Sequence, residues 1–157
     1  MRHATADPGD GRDRARELTD GGKDEAHRVG RWLASEGRGP DRILCSSALR
    51  CRQTSQALCA GLGRNVATEF EDRLYNAPAE TLFDSLTDLE GENVLLIAHN
   101  PGISHLALGL AGESAGTTPL RSGFAPATIA CFEINSSWSM LSRGAARLLF
   151  SRAVVDL

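Results

Sequence analysis

Two arginines and two histidines stand out by residue type and setting. Arg2-His3 opens the chain, Arg50 closes the run Ser46-Ser47-Ala48-Leu49-Arg50, and His99 lies in Ala98-His99-Asn100-Pro101-Gly102. Brought together, these four would form a phosphate pocket with a nucleophile inside it. Phosphoryl transfer needs a nucleophile in line with the leaving group and donors for the equatorial oxygens of the group in transit. A neutral imidazole attacks phosphorus well, and a covalent intermediate divides one hard step into two easier ones. His3 is the candidate nucleophile. Arg2 and Arg50 offer forked guanidinium donors that match phosphate geometry. His99, at a strand end before a helix start, would add one more hydrogen bond, helped by nearby backbone N–H groups. Such a site needs no metal, because the arginines carry the charge. Cys45, Cys51, Cys59 and Cys131 form no C-x-x-C pair and are not clustered with histidine at zinc-ligand spacing.

Other residues are ambiguous on the sequence alone. Arg16 could line the mouth of the pocket or make a surface salt bridge. Ser46 could cap a helix or touch phosphate. Arg52 points about 200° away from Arg50 around a helix and reads as solvated surface. His27 and His105 read as surface, or in the case of His105 as pocket rim. Tyr75 could flank the pocket or pack with Leu74. The Asp/Gly/Arg-rich stretch 7–16 reads as a flexible rim, since its glycines do not follow a strand and open a helix.

The elements that must position these groups alternate. Thr19 can cap a helix over residues 20–36, with Ala26, Val29, Gly30 and Leu33 on one face. Gly37 and Gly39-Pro40 stop it. Residues 42–45 form a short apolar strand, followed by a helix over 47–61 that Ser46 or Ser47 can cap and that Gly61 and Gly63 end. Residues 65–70 suit a short strand. Pro78 suits the first turn of a helix carrying Leu82, Leu86 and Leu89. The run 93–98 is the clearest strand, apolar throughout after Asn93, as expected when helices cover both sheet faces. A helix follows from Pro101 to about Ala111, then a loop over 113–126 and strands over 127–134 and 145–151. This order predicts an α/β domain, a three-layer α/β/α sandwich with a mostly parallel central sheet. Sites in such sheets lie at the carboxyl ends of the strands, where Arg2-His3, Ser46 to Arg50 and His99 all fall.

Several motifs match one family in order and spacing. They are Arg2-His3-Ala4, then Arg16-Glu17-Leu18-Thr19 with Gly22 and Ala26, then Pro40-Asp41 through Ser46-x-x-x-Arg50-x-x-Gln53-Thr54. Leu74-Tyr75-Asn76-Ala77 and Val94 to Gly102 complete the set. Over nearly its whole length the chain resembles the histidine phosphatase superfamily, related to phosphoglycerate mutase, and within it the small bacterial phosphohistidine phosphatases of the SixA type. The resemblance implies that Arg2, His3, Arg50 and His99 are the catalytic four, with His3 phosphorylated in turnover and no cofactor.

Two departures stand against that pattern. The family's opening strand, an apolar run just before Arg-His, is absent. Its loss should open a gap between two buried strands and leave His3 on a fraying terminus. The natural protein is therefore expected to begin further upstream, or this sequence to start at an internal Met; the chain as given would have weak activity or none. Mutase-like relatives also carry a Glu that protonates the leaving oxygen. Glu69, Glu71 and Asp72 occupy the plausible region, and nothing selects among them. A weak acid suits a P–N bond, whose leaving ring nitrogen can take a proton from solvent.

The 157 residues make one ordinary domain, 1–157, with 41% hydrophobic residues for a core. A net charge of −3 argues against a nucleic-acid surface. No run of about 18 apolar residues is present, so no membrane span is expected, and the start lacks a signal-peptide pattern. Free thiols suit the cytoplasm. The leading expectation is a metal-independent phosphatase of phosphohistidine in a partner protein, favoured by the short chain, which has little length for insertions that close over a small substrate. The alternatives are a phosphatase of a small phosphorylated metabolite and an inactive phosphate-binding homologue.

Overall fold

The computed structural model describes residues 1–89, 91–112, 118–121 and 123–157. Its elements in chain order are α1 (Asp20–Ser35), β1 (Arg42–Ser46), α2 (Leu49–Leu62), β2 (Ala67–Glu71), α3 (Ala79–Thr87), β3 (Val94–Ile97), α4 (Gly102–Ala111), α5 (Thr118–Arg121), β4 (Ile129–Ile134) and β5 (Ala146–Arg152). The expected elements are present within a few residues. The short helix α5 lies inside the stretch read as loop; residues 113–117 and 122 of that stretch fall outside the described residues.

β2, β1 and β3 form a parallel sheet in that spatial order, with Cys45 opposite both Phe70 and Ile97. β4 and β5 form a separate antiparallel pair. Side chains alternate between the two faces, as strand geometry requires. Ile43, Cys45, Leu95 and Ile97 join the core under α1 and α2, whereas Leu44, Leu96 and Ala98 join the core under α3 and α4. The result is the helix–sheet–helix layering expected for this sequence.

α1 and α2 cross with their backbones almost touching. A Cβ at Gly30 would sit 2.2 Å from the Leu58 carbonyl oxygen, and one at Gly61 would sit 2.1 Å from that of His27. Gly61 therefore does not end α2, as its type suggested. It lies inside the helix to permit the crossing, and Gly63 alone makes the stop, as a left-handed C-cap with φ 69°.

The chain start sits between β3 and the approach to β4. The Ala98 N–H donates to the Met1 carbonyl at 3.2 Å, and the His3 N–H donates to the Ala98 carbonyl at 3.1 Å. On the other side, the Arg2 N–H donates to the Thr128 carbonyl at 3.0 Å, and the Ala127 N–H to the His3 carbonyl at 3.1 Å. The Met1 ammonium donates to the Leu96 carbonyl at 2.8 Å and is buried; desolvation pulls its pKa down to about 5. The expectation of a fraying His3 is thus corrected: backbone pairing on both sides holds residues 1–3 in place. A cavity of about 650 Å³ lies between β3 and β4, lined by Met1, Leu96, Leu106, Ile129, Phe132 and Phe150 among others.

Candidate active site

Arg2, His3, Arg50 and His99 converge at the carboxyl ends of the strands. Three unrelated elements deliver them. The paired chain start holds Arg2 and His3, the first turn of α2 holds Arg50, and the turn after β3 holds His99. The Thr54 hydroxyl, one turn along α2, accepts from the Ala4 N–H at 3.1 Å and donates to the Arg50 carbonyl at 2.7 Å. Gln53 accepts from the Leu18 N–H at 2.6 Å. The Gln-Thr pair of the motif therefore clamps α2 to the chain start and to the turn that precedes α1.

His3 Nδ1 lies 2.8 Å from the Ala4 carbonyl oxygen. A carbonyl can only accept, so Nδ1 carries the proton and Nε2 keeps its lone pair. Burial, partly opposed by the hydrogen bond to Ala4, lowers the His3 pKa to about 3, with His99, Arg50 and Arg2 adding smaller like-charge effects. The ring is neutral at physiological pH with Nε2 unprotonated, which is the form a nucleophile needs. Nε2 faces the guanidinium of Arg50, whose Nε–H donates to it at 3.3 Å.

Arg50 is buried and fans out across the site. Besides His3 it donates to the Asp13 carbonyl at 2.7 Å, the Asp13 carboxylate at 3.0 Å and His99 Nδ1 at 3.1 Å. Arginine has no acceptor atoms, so His99 Nδ1 accepts here and Nε2–H must donate. Its partner is the Ser46 hydroxyl at 2.7 Å, with the Cys51 thiol 3.5 Å away on the same nitrogen. Burial pushes the Cys51 thiol up, and hydrogen bonds with Cys45 and His99 outweigh it, bringing it below the usual thiol range. Arg2 donates to the Phe124 carbonyl at 2.7 Å, and its buried Nε has no partner among the described residues. That donor is available to an anion.

Ser46 was expected to line the phosphate or cap α2. Its side chain is fully buried behind His99, and its hydroxyl accepts from the Ala48 N–H at 3.4 Å; the N-cap of α2 is Ala48, without a side-chain cap. It positions His99 instead of facing the pocket. Arg16 pairs with Asp13 at 3.1 Å and with the Asp7 carbonyl at 2.6 Å, on the rim. Tyr75 does flank the site: its ring meets His99 edge-on at 5.6 Å, and its hydroxyl donates to the Asp13 carboxylate at 2.5 Å.

Asp13 carries no signal in the sequence, where the stretch 7–16 reads as rim. It sits in a short 3-10 turn, Asp13–Ala15, where its carboxylate collects Tyr75, Arg16 and Arg50. The Tyr75 hydrogen bond, then Arg16 and Arg50, hold it well below the usual carboxylate range, so it is ionised and cannot serve as an acid. Of the three carboxylates weighed as proton donors, Glu71 is engaged by Arg73 and Asp72 by Ser47 and Arg14, while Glu69 stands exposed on β2.

The histidine phosphatase superfamily (branch 1) profile matches residues 1–77. An uncharacterised protein of Mycobacterium tuberculosis strain H37Rv is 32% identical, covering 95% of this chain and 96% of its own. The chain belongs to the histidine phosphatase superfamily. Two solved structures with provisional assignments as the phosphohistidine phosphatase SixA are similar throughout. The one from Agrobacterium tumefaciens is 31% identical with a TM-score of 0.82, covering 98% of this chain and 94% of that one. The one from Nakamurella multipartitia is 28% identical with a TM-score of 0.84, covering 97% and 92%. This histidine phosphatase is accordingly of the SixA type in fold, and a phosphatase by class.

Proposed function

We propose that this histidine phosphatase removes phosphate from a phosphohistidine side chain of a partner protein, through a covalent intermediate on His3. His3 Nε2 attacks phosphorus as the P–N bond to the substrate imidazole breaks. Arg2, Arg50 and His99 donate to the equatorial oxygens, where charge is held through the transition state. The departing imidazole takes a proton from solvent. Water then attacks phospho-His3, releasing inorganic phosphate and restoring the neutral ring. Guanidinium charge does the work that a metal would otherwise do, so the reaction runs without one. We place the reaction in the cytoplasm, in line with the free thiols of Cys45 and Cys51.

The observation that carries this reading is the state of the carboxylates. The Asp13 carboxylate, which meets Arg50, is ionised, so among the described residues the cradle has donors for phosphate and no carboxylic acid to protonate an alkoxide leaving group. A P–N substrate needs none. The test is kcat/KM on a phosphorylated histidine-phosphotransfer protein against a panel of sugar phosphates. A preference for the phosphoprotein by at least a hundredfold is expected. An equal or opposite preference would reject this substrate in favour of a small phosphorylated metabolite.

A further inference from the structure

A carboxylate inside an anion cradle poses an electrostatic problem. The Asp13 carboxylate lies 3.0 Å from the Arg50 guanidinium, the group that would hold the charge of a phosphoryl oxygen. Two anions on one guanidinium repel each other, and phosphate binding alone offers nothing to offset that. Asp13 is nevertheless fixed from several sides. Its backbone carbonyl accepts from Arg50 at 2.7 Å, and its carboxylate accepts from Tyr75 at 2.5 Å and Arg16 at 3.1 Å as well as from Arg50.

The position of this carboxylate decides what it can meet. The Arg50 side chain is 3% exposed and that of Asp13 is 44% exposed, so Asp13 stands on the solvent side of the guanidinium. Arg50 spans the interval to the nucleophile, donating through Nε to His3 Nε2 and through Nη2 to Asp13. In an in-line displacement from the buried His3, the leaving group stands beyond phosphorus, toward solvent and toward Asp13. A carboxylate has about four acceptor positions. Tyr75 and Arg50 take two on Oδ2, and among the described residues Arg16 takes one on Oδ1, which leaves Oδ1 able to accept once more.

A phosphorylated imidazole supplies both the charge and the donor that this acceptor lacks. With phosphorus on one ring nitrogen and a proton on the other, the ring is a cation, and its N–H can only donate. Such a ring leaves as neutral imidazole. The P–N bond breaks, its electron pair stays on the nitrogen that carried phosphorus, and the proton stays on the other nitrogen. Without that proton the ring would have to leave as a strongly basic anion. A nearby opposite charge favours the protonated ring. Sugar and aryl phosphates present no such cation, so toward them the same carboxylate only repels.

We propose that Asp13 is a specificity-determining residue, accepting a hydrogen bond from the protonated ring nitrogen of the substrate phosphohistidine and so selecting imidazole as the leaving group. This inference rests on the proposed function. The proton taken from solvent in that reaction is held by Asp13 on the nitrogen remote from phosphorus. Tyr75 and Arg16 position the carboxylate for it.

The test measures kcat/KM of the native chain and of Asp13→Asn on two substrates. One is a synthetic peptide bearing Nε2-phosphohistidine, and the other is p-nitrophenyl phosphate, whose leaving group has no ring N–H to offer. Asp13→Asn should lower kcat/KM at least tenfold on the peptide. On p-nitrophenyl phosphate it should raise kcat/KM, because only the repulsion is removed; the rise also shows that the variant folds. An equal change on both substrates, in either direction, would overturn the inference and leave Asp13 as an anchor for Arg50. A native enzyme that hydrolyses p-nitrophenyl phosphate but not the peptide would overturn the inference together with the proposed function.

Discussion

Acid should destabilise this protein through two buried bases at its start, and the size of the effect follows from their shifts. The His3 pKa falls from 6.5 to about 3 on folding, and that of the Met1 amine from 8.0 to about 5. In each case the unfolded chain binds the proton first, so stability rises with pH across the interval between the two values. For His3 the contribution is complete above pH 6.5 and is lost as pH falls toward 3, at up to about 1.4 kcal/mol per pH unit. For the amine the loss begins below pH 8 and ends near 5. Between pH 6.5 and 5 the His3 contribution alone is therefore about 2 kcal/mol. The assay is urea unfolding at pH 7.5, 6.5, 5.5 and 5.0 for the native sequence and for His3→Gln, which keeps a polar group of similar size without a titrating ring. The native protein should lose about 2 kcal/mol more than the variant between pH 6.5 and 5.0. Saturating orthophosphate should flatten the difference, because an anion beside the ring favours its protonated form. Parallel stability profiles for the two proteins would refute a neutral, buried His3.

Ser46→Ala removes the acceptor for His99 Nε2–H; one hydrogen bond of about 1.4 kcal/mol is worth about tenfold, so kcat should fall about tenfold with KM nearly unchanged in steady-state assays. Asp13→Asn removes a carboxylate that competes with phosphate for Arg50. At roughly 6 Å and an effective dielectric near 20 the repulsion is about 3 kcal/mol, halved by exposure, so orthophosphate should inhibit about tenfold more tightly in competition assays. Gly61→Ala forces a Cβ onto the His27 carbonyl and should cost about 3 kcal/mol, lowering Tm by roughly 6–12 °C in calorimetry.

Much of the architecture was legible because it is local. The apolar run Val94 to Ile97 could only be a buried strand, and Thr19 caps α1 through the Gly22 N–H as its type suggests. What escaped the sequence depends on distant partners. Ser46 looks like a helix cap, but its hydroxyl is taken by His99, which arrives from another strand. Gly61 looks like a helix stop, but the His27 backbone presses against it from α1. Asp13 carried no signal in an Asp- and Gly-rich stretch without periodicity; only Tyr75, Arg16 and Arg50 together give it a place. The four convergent residues were readable because motif order stood in for geometry.

The central claim is that His3 carries the phosphoryl group during turnover. Rapid quenching of the enzyme with a ³²P-labelled phosphohistidine protein, followed by peptide mapping under alkaline conditions, tests it most directly. The account predicts transient, acid-labile label on the peptide containing His3, absent in His3→Ala along with turnover. Turnover that proceeds without label on His3, or that survives His3→Ala, would contradict it.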